Sequence, residues 1–292
     1  MNGLRQSVWL WLILALFPLG ALAQDLEFHP PANAGDPRTA EVMRDLALRI
    51  LPVYQDSDQD RFLTNLSALQ LAARDYPSAG STRRDLRARR NNSDAGRPRV
   101  VIFDIYARAR LIEDSSKVPF QQAFRQAYRE IVPRLSDYDE YLVTRWFGVP
   151  VSNLQENLQR AFDARRSRGN ISQNQAIDLI WTYLAFDSFR SFGPFVPELD
   201  GQEDARRYVT EENVPIKTAD GATLSVTVVR AKTAKPSPTL LEFVLTVSQN
   251  DARESAARGY VGAVAYARGV YGSEDKLALF ENDDEDAIAV IN

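Results

Sequence analysis

A chain of 292 residues with 45% hydrophobic side chains is long enough to bury a real core, and it implies one large or two small domains. Its net charge of −4 gives no global attraction to nucleic acid or to anionic lipid. The absence of cysteine excludes disulfides and thiolate metal sites, so packing alone stabilises the fold, and a single histidine leaves little for imidazole chemistry.

The first residues read as a secretory signal. Arg5 supplies the positive start, Val8 to Leu19 is apolar, and Ala21-Leu22-Ala23 fits the small-x-small cleavage pattern. Residues 1–23 are thus expected to be removed, with the mature chain starting at Gln24 in the periplasm or the medium. The apolar run is about half the ~20 residues of a spanning helix, so no stable membrane anchor is expected. No cysteine follows the cleavage site to carry a lipid. Residues 24–36 are Pro- and Ala-rich and read as a linker. His29 lies in that segment, where a loose tail would give it no fixed partner and hence no role as a general base.

From 37 to 192 the apolar spacing is helical. Val42, Leu46, Ile50 and Val53 form one stripe; Phe62, Leu66, Leu69 and Ala73 form another. Phe120, Phe124, Tyr128 and Ile131 follow and are interrupted at Pro133, with Ser136 and Asp137 offered as caps for a restart. Leu154, Leu158 and Phe162, then Ile177, Ile180, Trp181, Leu184 and Phe189, complete a helical accessory domain. Val100 to Tyr106 is rich in β-branched residues but is read as a buried helix. Residues 193–212 are read as a second linker.

Over 213–292 the period changes. Val214 to Thr218 is short and extended, Asp220-Gly221 signals a hairpin, and Leu224, Val226 and Val228 alternate as in a half-buried strand. Thr239 to Val247 reads as a central strand buried on both faces. Asn250 or Asp251 is offered as the cap of a short helix ended by Gly259, and Val261 to Ala267 is a second buried strand. A last helix begins near Asp283. Hairpin, strand, helix, strand, helix is the opening of an α/β sheet.

Three charged segments are candidates for chemistry. Asp56, Asp58 and Asp60 resemble the start of a calcium loop, but Arg61 stands where a glycine should turn the chain and Ser67 where a bidentate Glu is needed, which favours an acidic helix start. The arginines at 83, 84, 87, 89, 90, 97 and 99 have no aromatic residues among them to stack on bases, so they read as a solvated face, with anionic envelope components as the second option. Glu281 to Asp286 reads as acid at a helix N-terminus. No Gly-x-Ser-x-Gly elbow occurs; Gly272-Ser273 is the nearest approach. Asp104 and Asp178 are lone carboxylates with no partner visible in sequence.

From Val214 onward the chain resembles the start of the hydrolase domain in the cocaine esterase and X-Pro dipeptidyl-peptidase family. The residues that carry it are Val214 to Leu224 around Asp220-Gly221, Arg258-Gly259-Tyr260 ahead of a buried strand, Arg268-Gly269 after it with Ser273 close by, and the acidic run Asp283 to Asp286 leading into a helix. They cover about 80 of the 292 residues. The resemblance implies a fold class of α plus α/β, a helical domain followed by the first half of an α/β-hydrolase sheet. It implies a serine hydrolase acting on ester, amide or peptide bonds without a cofactor, with the triad on later strands, so that the sheet is incomplete here and the chain inactive alone. The family's oxyanion site uses a Tyr hydroxyl after the central strand; here the neighbourhood reads Leu245-Thr-Val-Ser248, which leaves Thr246 as the only candidate. The alternative is a non-catalytic envelope binding protein whose half-sheet is completed by a partner chain.

Overall fold

The computed structural model describes residues 25–90, 97–232, 236–245, 249–273, 275–277 and 281–291. The expected leader and Thr246 lie outside these. The described residues form a helical body followed by a small mixed sheet with helices on it.

The helical body runs through α1 (Thr39–Ile50), α2 (Gln59–Ala72), α3 (Tyr76–Arg89), α4 (Pro98–Ser116), α5 (Phe120–Ile131), α6 (Asp137–Phe147), α7 (Val151–Arg166) and α8 (Gln173–Phe192). Local sequence sets the boundaries. Asp58 and Asp75 accept the backbone N–H groups of Arg61 and Ser78 at the starts of α2 and α3. Ser136 does the same for Asp139, as its position before the apolar stripe predicts. Ser172 and Gln175 make a reciprocal capping box at α8. Pro133 ends α5 in a short 3₁₀ turn, as expected. The segment around Val100 to Tyr106 is helical and buried within α4. Helix α8 is apolar on most of its circumference, because it is wrapped by α1, α2 and α7. Its Phe192 stacks on Phe124 at 5.0 Å and meets Phe147 edge-on at 5.3 Å.

Two expected linkers are structured. Residues 25–36 are pinned to the helices. A two-residue strand β1 (Leu26–Glu27) pairs antiparallel with β2 (Asn170–Ile171), and Phe28 is buried against Phe162. Arg166 holds the carbonyls of Pro31 and Ala32, and Gln159 accepts the Ala34 N–H. The sequence signal failed because these contacts are backbone pairings and one lone aromatic, which carry no period. Residues 193–212 form a 3₁₀ turn, the helix α9 (Val196–Arg207) and the first residues of a strand. Their polarity reflects a helix with one narrow buried edge at Val196, Leu199, Glu203 and Arg207.

The sheet comprises β3 (Tyr208–Lys217), β4 (Thr223–Ala231), β5 (Thr239–Val244) and β6 (Val261–Tyr266), in the order β3-β4-β6-β5. Strands β3 and β4 form the antiparallel hairpin expected at Asp220-Gly221, where Gly221 has φ +92°. Strand β4 is antiparallel to β6, and β5 runs parallel to β6 through the crossover helix α10 (Gln249–Ala257). Helix α10 begins at Gln249, so Asn250 and Asp251 lie inside its first turn rather than capping it.

Two expectations on burial are corrected. Strand β4 is covered on both faces over most of its length: Val229 packs under α10, and Val226 and Val228 pack on the side where Val290 of α11 (Asp283–Ile291) lies. Strand β5, expected to be buried on both faces, is the sheet edge, and its Leu240 is 45% exposed. The run Leu240 to Leu245 has the composition of an inner strand, but among the described residues nothing pairs with its outer side.

Helix α10 lies close on β6 because Gly262 has no side chain; a Cβ there would collide with the backbone carbonyl of Ala252. Gly262→Ala is expected to lower stability by about 1–3 kcal/mol in thermal unfolding. Gly201→Ala, at an open helical position in α9, should leave the midpoint unchanged or raise it.

Candidate functional site

The parallel strands β5 and β6 end on the same side of the sheet, where the β3–β4 turn also lies. Crevices at the carboxyl ends of parallel strands are where open α/β sheets bind ligands. The chain leaves β6 through Ala267, whose N–H bonds the Val244 carbonyl at 3.1 Å, and turns sharply at Arg268-Gly269. Gly269 has φ +73° and Gly272 φ +78°. A Cβ on Gly269 would sit 2.5 Å from the Leu277 nitrogen, and one on Gly272 would strike Asn213. Both positions therefore require glycine.

Arg268 organises this end. Its guanidinium donates to Asp286 from Nε at 2.8 Å and Nη2 at 2.6 Å, and to Asp220 from Nη1 at 2.6 Å and Nη2 at 3.1 Å. Asp286 is buried in the first turn of α11. The Arg268 guanidinium, with the Thr218 hydroxyl beside it, holds the Asp220 carboxyl well below the usual carboxylate range. Asp275 adds a second tie, accepting the Thr223 N–H at 2.6 Å. The hairpin turn, the loop after β6 and the last helix are thus fastened at one point by forked, charge-assisted bonds. Ser273 is used locally: its Oγ accepts the N–H groups of Gly269 at 3.1 Å and Asp275 at 3.4 Å. That hydroxyl shapes the loop.

A second charged cluster joins the helices to the sheet. Glu140 of α6 has no exposed surface, and its carboxylate accepts from Arg253 of α10 at 2.8 and 3.0 Å and from the Thr144 hydroxyl at 2.8 Å. Arg253 also donates to Asp204 at 2.7 Å and lies over the rings of Tyr141 and Tyr208. Arg207 donates to Glu203, to Asp137 and to the carbonyls of Val132 and Leu135. Desolvation raises Glu140 above its ordinary value despite Arg253. It pushes Asp200, which accepts the Tyr128 hydroxyl at 2.7 Å, up to about 7, with Glu140 and Asp204 adding to the rise.

The residues singled out from sequence fall differently. Asp56, Asp58 and Asp60 do not converge. Asp56 is bridged by Arg61 and held at about 2, Asp58 caps α2, and Asp60 is shared by Arg89 and Arg90. Among the described residues no group of three or more metal-ligating side chains assembles. His29 is exposed but not on a loose tail; its Nε2 lies 3.0 Å from Glu27. Asp104 is no lone carboxylate: it is buried between Arg83 and Arg87. The basic stretch is accordingly only in part a solvated face, since Arg83 is buried and ties α3 to α4. The acids at 283–286 do sit in the first turn of a helix, but Asp286 also has a specific partner that capping logic did not foresee. Sequence reasoning missed Glu140 and Arg253 altogether. Glu140 follows Asp137 and Asp139 in an acidic first turn, and nothing in that run marks the third carboxylate as inward-facing.

No protein-family model matches the chain, and no curated protein matches its sequence.

Two outcomes follow from these clusters. Arg268→Met leaves Asp286 buried without its cation, and urea unfolding should show a loss of about 3 kcal/mol or more. Asp200 keeps its proton in the folded state at pH values where the unfolded chain has lost it. The folded state therefore binds more protons between pH 4 and 7, and stability should fall as pH rises through that window. Asp200→Asn should flatten that part of the profile of urea midpoint against pH.

Proposed function

We propose that the chain is the opening part of an exported serine hydrolase similar to the cocaine esterase and X-Pro dipeptidyl-peptidase family, acting on ester, amide or peptide bonds. One observation carries this reading. The segments that bear the resemblance are far apart in sequence, yet Asp220, Arg268 and Asp286 meet in a single ion cluster at the carboxyl end of the parallel strands. The surrounding sheet supports it, with a hairpin, an antiparallel step to β6 and a parallel βαβ unit whose earlier strand lies outermost. In such an enzyme a serine on the turn after the next strand is acylated and then freed by water, with a later histidine as base. This chain's part is to set the floor of the site. By the resemblance, Thr246 would offer a hydroxyl to the developing oxyanion. The Arg268 cluster would fix the helix that leads to the nucleophile strand.

Reading the coding DNA beyond residue 292 tests this: a Trp followed by Gly-x-Ser-x-Gly, in any frame, is the expected result. The protein carrying that continuation should cleave a chromogenic acyl ester and be silenced by a fluorophosphonate, while residues 1–292 alone give only the buffer rate. A stop codon with no elbow beyond it would sink the proposal. So would saturable, fluorophosphonate-sensitive cleavage by residues 1–292.

The exposed edge of β5 favours one second reading, a non-catalytic envelope protein whose sheet is completed by a strand from a partner chain. A stoichiometric partner that co-purifies and protects the β5 amides from hydrogen exchange would select it.

A further inference from the structure

We infer that α9 is a proton-operated clasp between the helical body and the sheet: one proton on Asp200 keeps the two parts in a single setting, and its loss frees the sheet to move as a unit. The device is independent of what the sheet binds. Charge rather than apolar packing holds this joint. The apolar cluster of the helical body ends at Leu199, and the two clusters of the sheet begin at Tyr208 or later and share no residue with it. Between them stand the polar ties of α9. Glu198 accepts from Arg125 of α5 at 2.6 Å, and Asp200 from the Tyr128 hydroxyl of the same helix at 2.7 Å. Asp204 reaches Arg253 of α10, and Arg207 reaches Asp137 of α6. Parts joined through a polar seam move relative to one another far more readily than parts joined by a large apolar one.

The seam is short of cations at one place. Asp200 lies in the field of Glu140, Asp204 and Arg253, and the Arg253 donors go to Glu140 and Asp204. Arg206 and Arg207 are spent on Glu203, Asp137 and backbone carbonyls. Among the described residues, Asp200 has a hydroxyl as its direct partner and no guanidinium. The groups around it keep their charge state near neutral pH. Burial holds the hydroxyls of Tyr128 on α5, Tyr141 on α6 and Tyr208 on β3 above their ordinary value, so they stay neutral. Arg125 holds Glu198 below the usual glutamate value; burial notwithstanding, Arg206 and Arg207 do the same for Glu203. Asp200, raised by burial to about 7, is the group whose charge changes there. Protonated, it adds nothing to the charge beside Glu140 and Asp204. Ionised, it makes three carboxylates around one guanidinium, and their repulsion acts along the seam. The closed joint binds the proton more tightly than the open one, so it is favoured below about pH 7 and loosened above.

Because the chain has no cysteine, two spin labels can be placed by Ser167→Cys in the helical body and Lys217→Cys in the sheet, both at exposed positions. Electron–electron distance measurements on the full chain should give a narrow distribution at about pH 5.5 and one about twice as wide at about pH 8.5. The midpoint should lie at about 7, with the far-UV helical signal unchanged across the range. Asp200→Asn should stay narrow at both pH values. Tyr128→Phe removes a hydrogen bond that favours the charged carboxylate, so its midpoint should rise by about one pH unit. Equal distributions at the two pH values, a broadening that persists in Asp200→Asn, a Tyr128→Phe midpoint that stays or falls, or a loss of helical signal in step with the broadening would each overturn the inference.

Discussion

Glu140 is a carboxylate with no exposed surface, and the helix that supplies its counter-ion lies 113 residues further along the chain. Burying such a group costs several kcal/mol unless its lone pairs and its charge are answered. Arg253 and Thr144 answer them. The helical body and the sheet are therefore tied by a charge that neither satisfies alone. Arg207 extends the same logic. It ends α9, spends its donors on Glu203, Asp137 and two carbonyls, and the next residue, Tyr208, begins the sheet. The first strand thus leaves from a fixed point.

How much of this was legible in the sequence depends on the kind of signal. Features that repeat were visible: the stripe from Phe120 to Ile131, the hairpin at Asp220-Gly221 and the stop at Gly259 all stand where periodicity and turn chemistry put them. The helix over Val100 to Tyr106 was read correctly against its β-branched content because its neighbours were helical. Features that rest on single long-range partners were invisible. Phe28 is one ring in a Pro-rich segment, and only the fold brings Phe162 to it. The edge position of β5 is not carried by its own residues, since an apolar run looks the same whether its outer side is covered or not; it follows from the resemblance, which leaves the sheet incomplete beyond this strand. Of the candidate site, Asp220, Arg268 and Asp286 each stand in a recognisable motif, but their meeting is a property of the topology.

The molecule uses arginine in two distinct ways. At Arg83, Arg207, Arg253 and Arg268 the guanidinium is buried or nearly so and spends its donors on carboxylates and carbonyls from several elements. Its planar fork suits that task, since one side chain can bind partners that differ in direction. At Arg99 the same group rests on an indole at the surface of a groove. In a chain without cysteine, the first use takes the place of covalent cross-links.

The distance in sequence between Glu140 and Arg253 also orders events on the ribosome. Synthesis delivers the helical body first, and its buried core is built from residues between Phe28 and Leu199. Until α10 has been made, Glu140 lacks the guanidinium that bonds its carboxylate directly and must stay wet or protonated. The last layer of α6 and α9 can dry out only when Arg253 arrives, so final compaction of the early part waits on the late one.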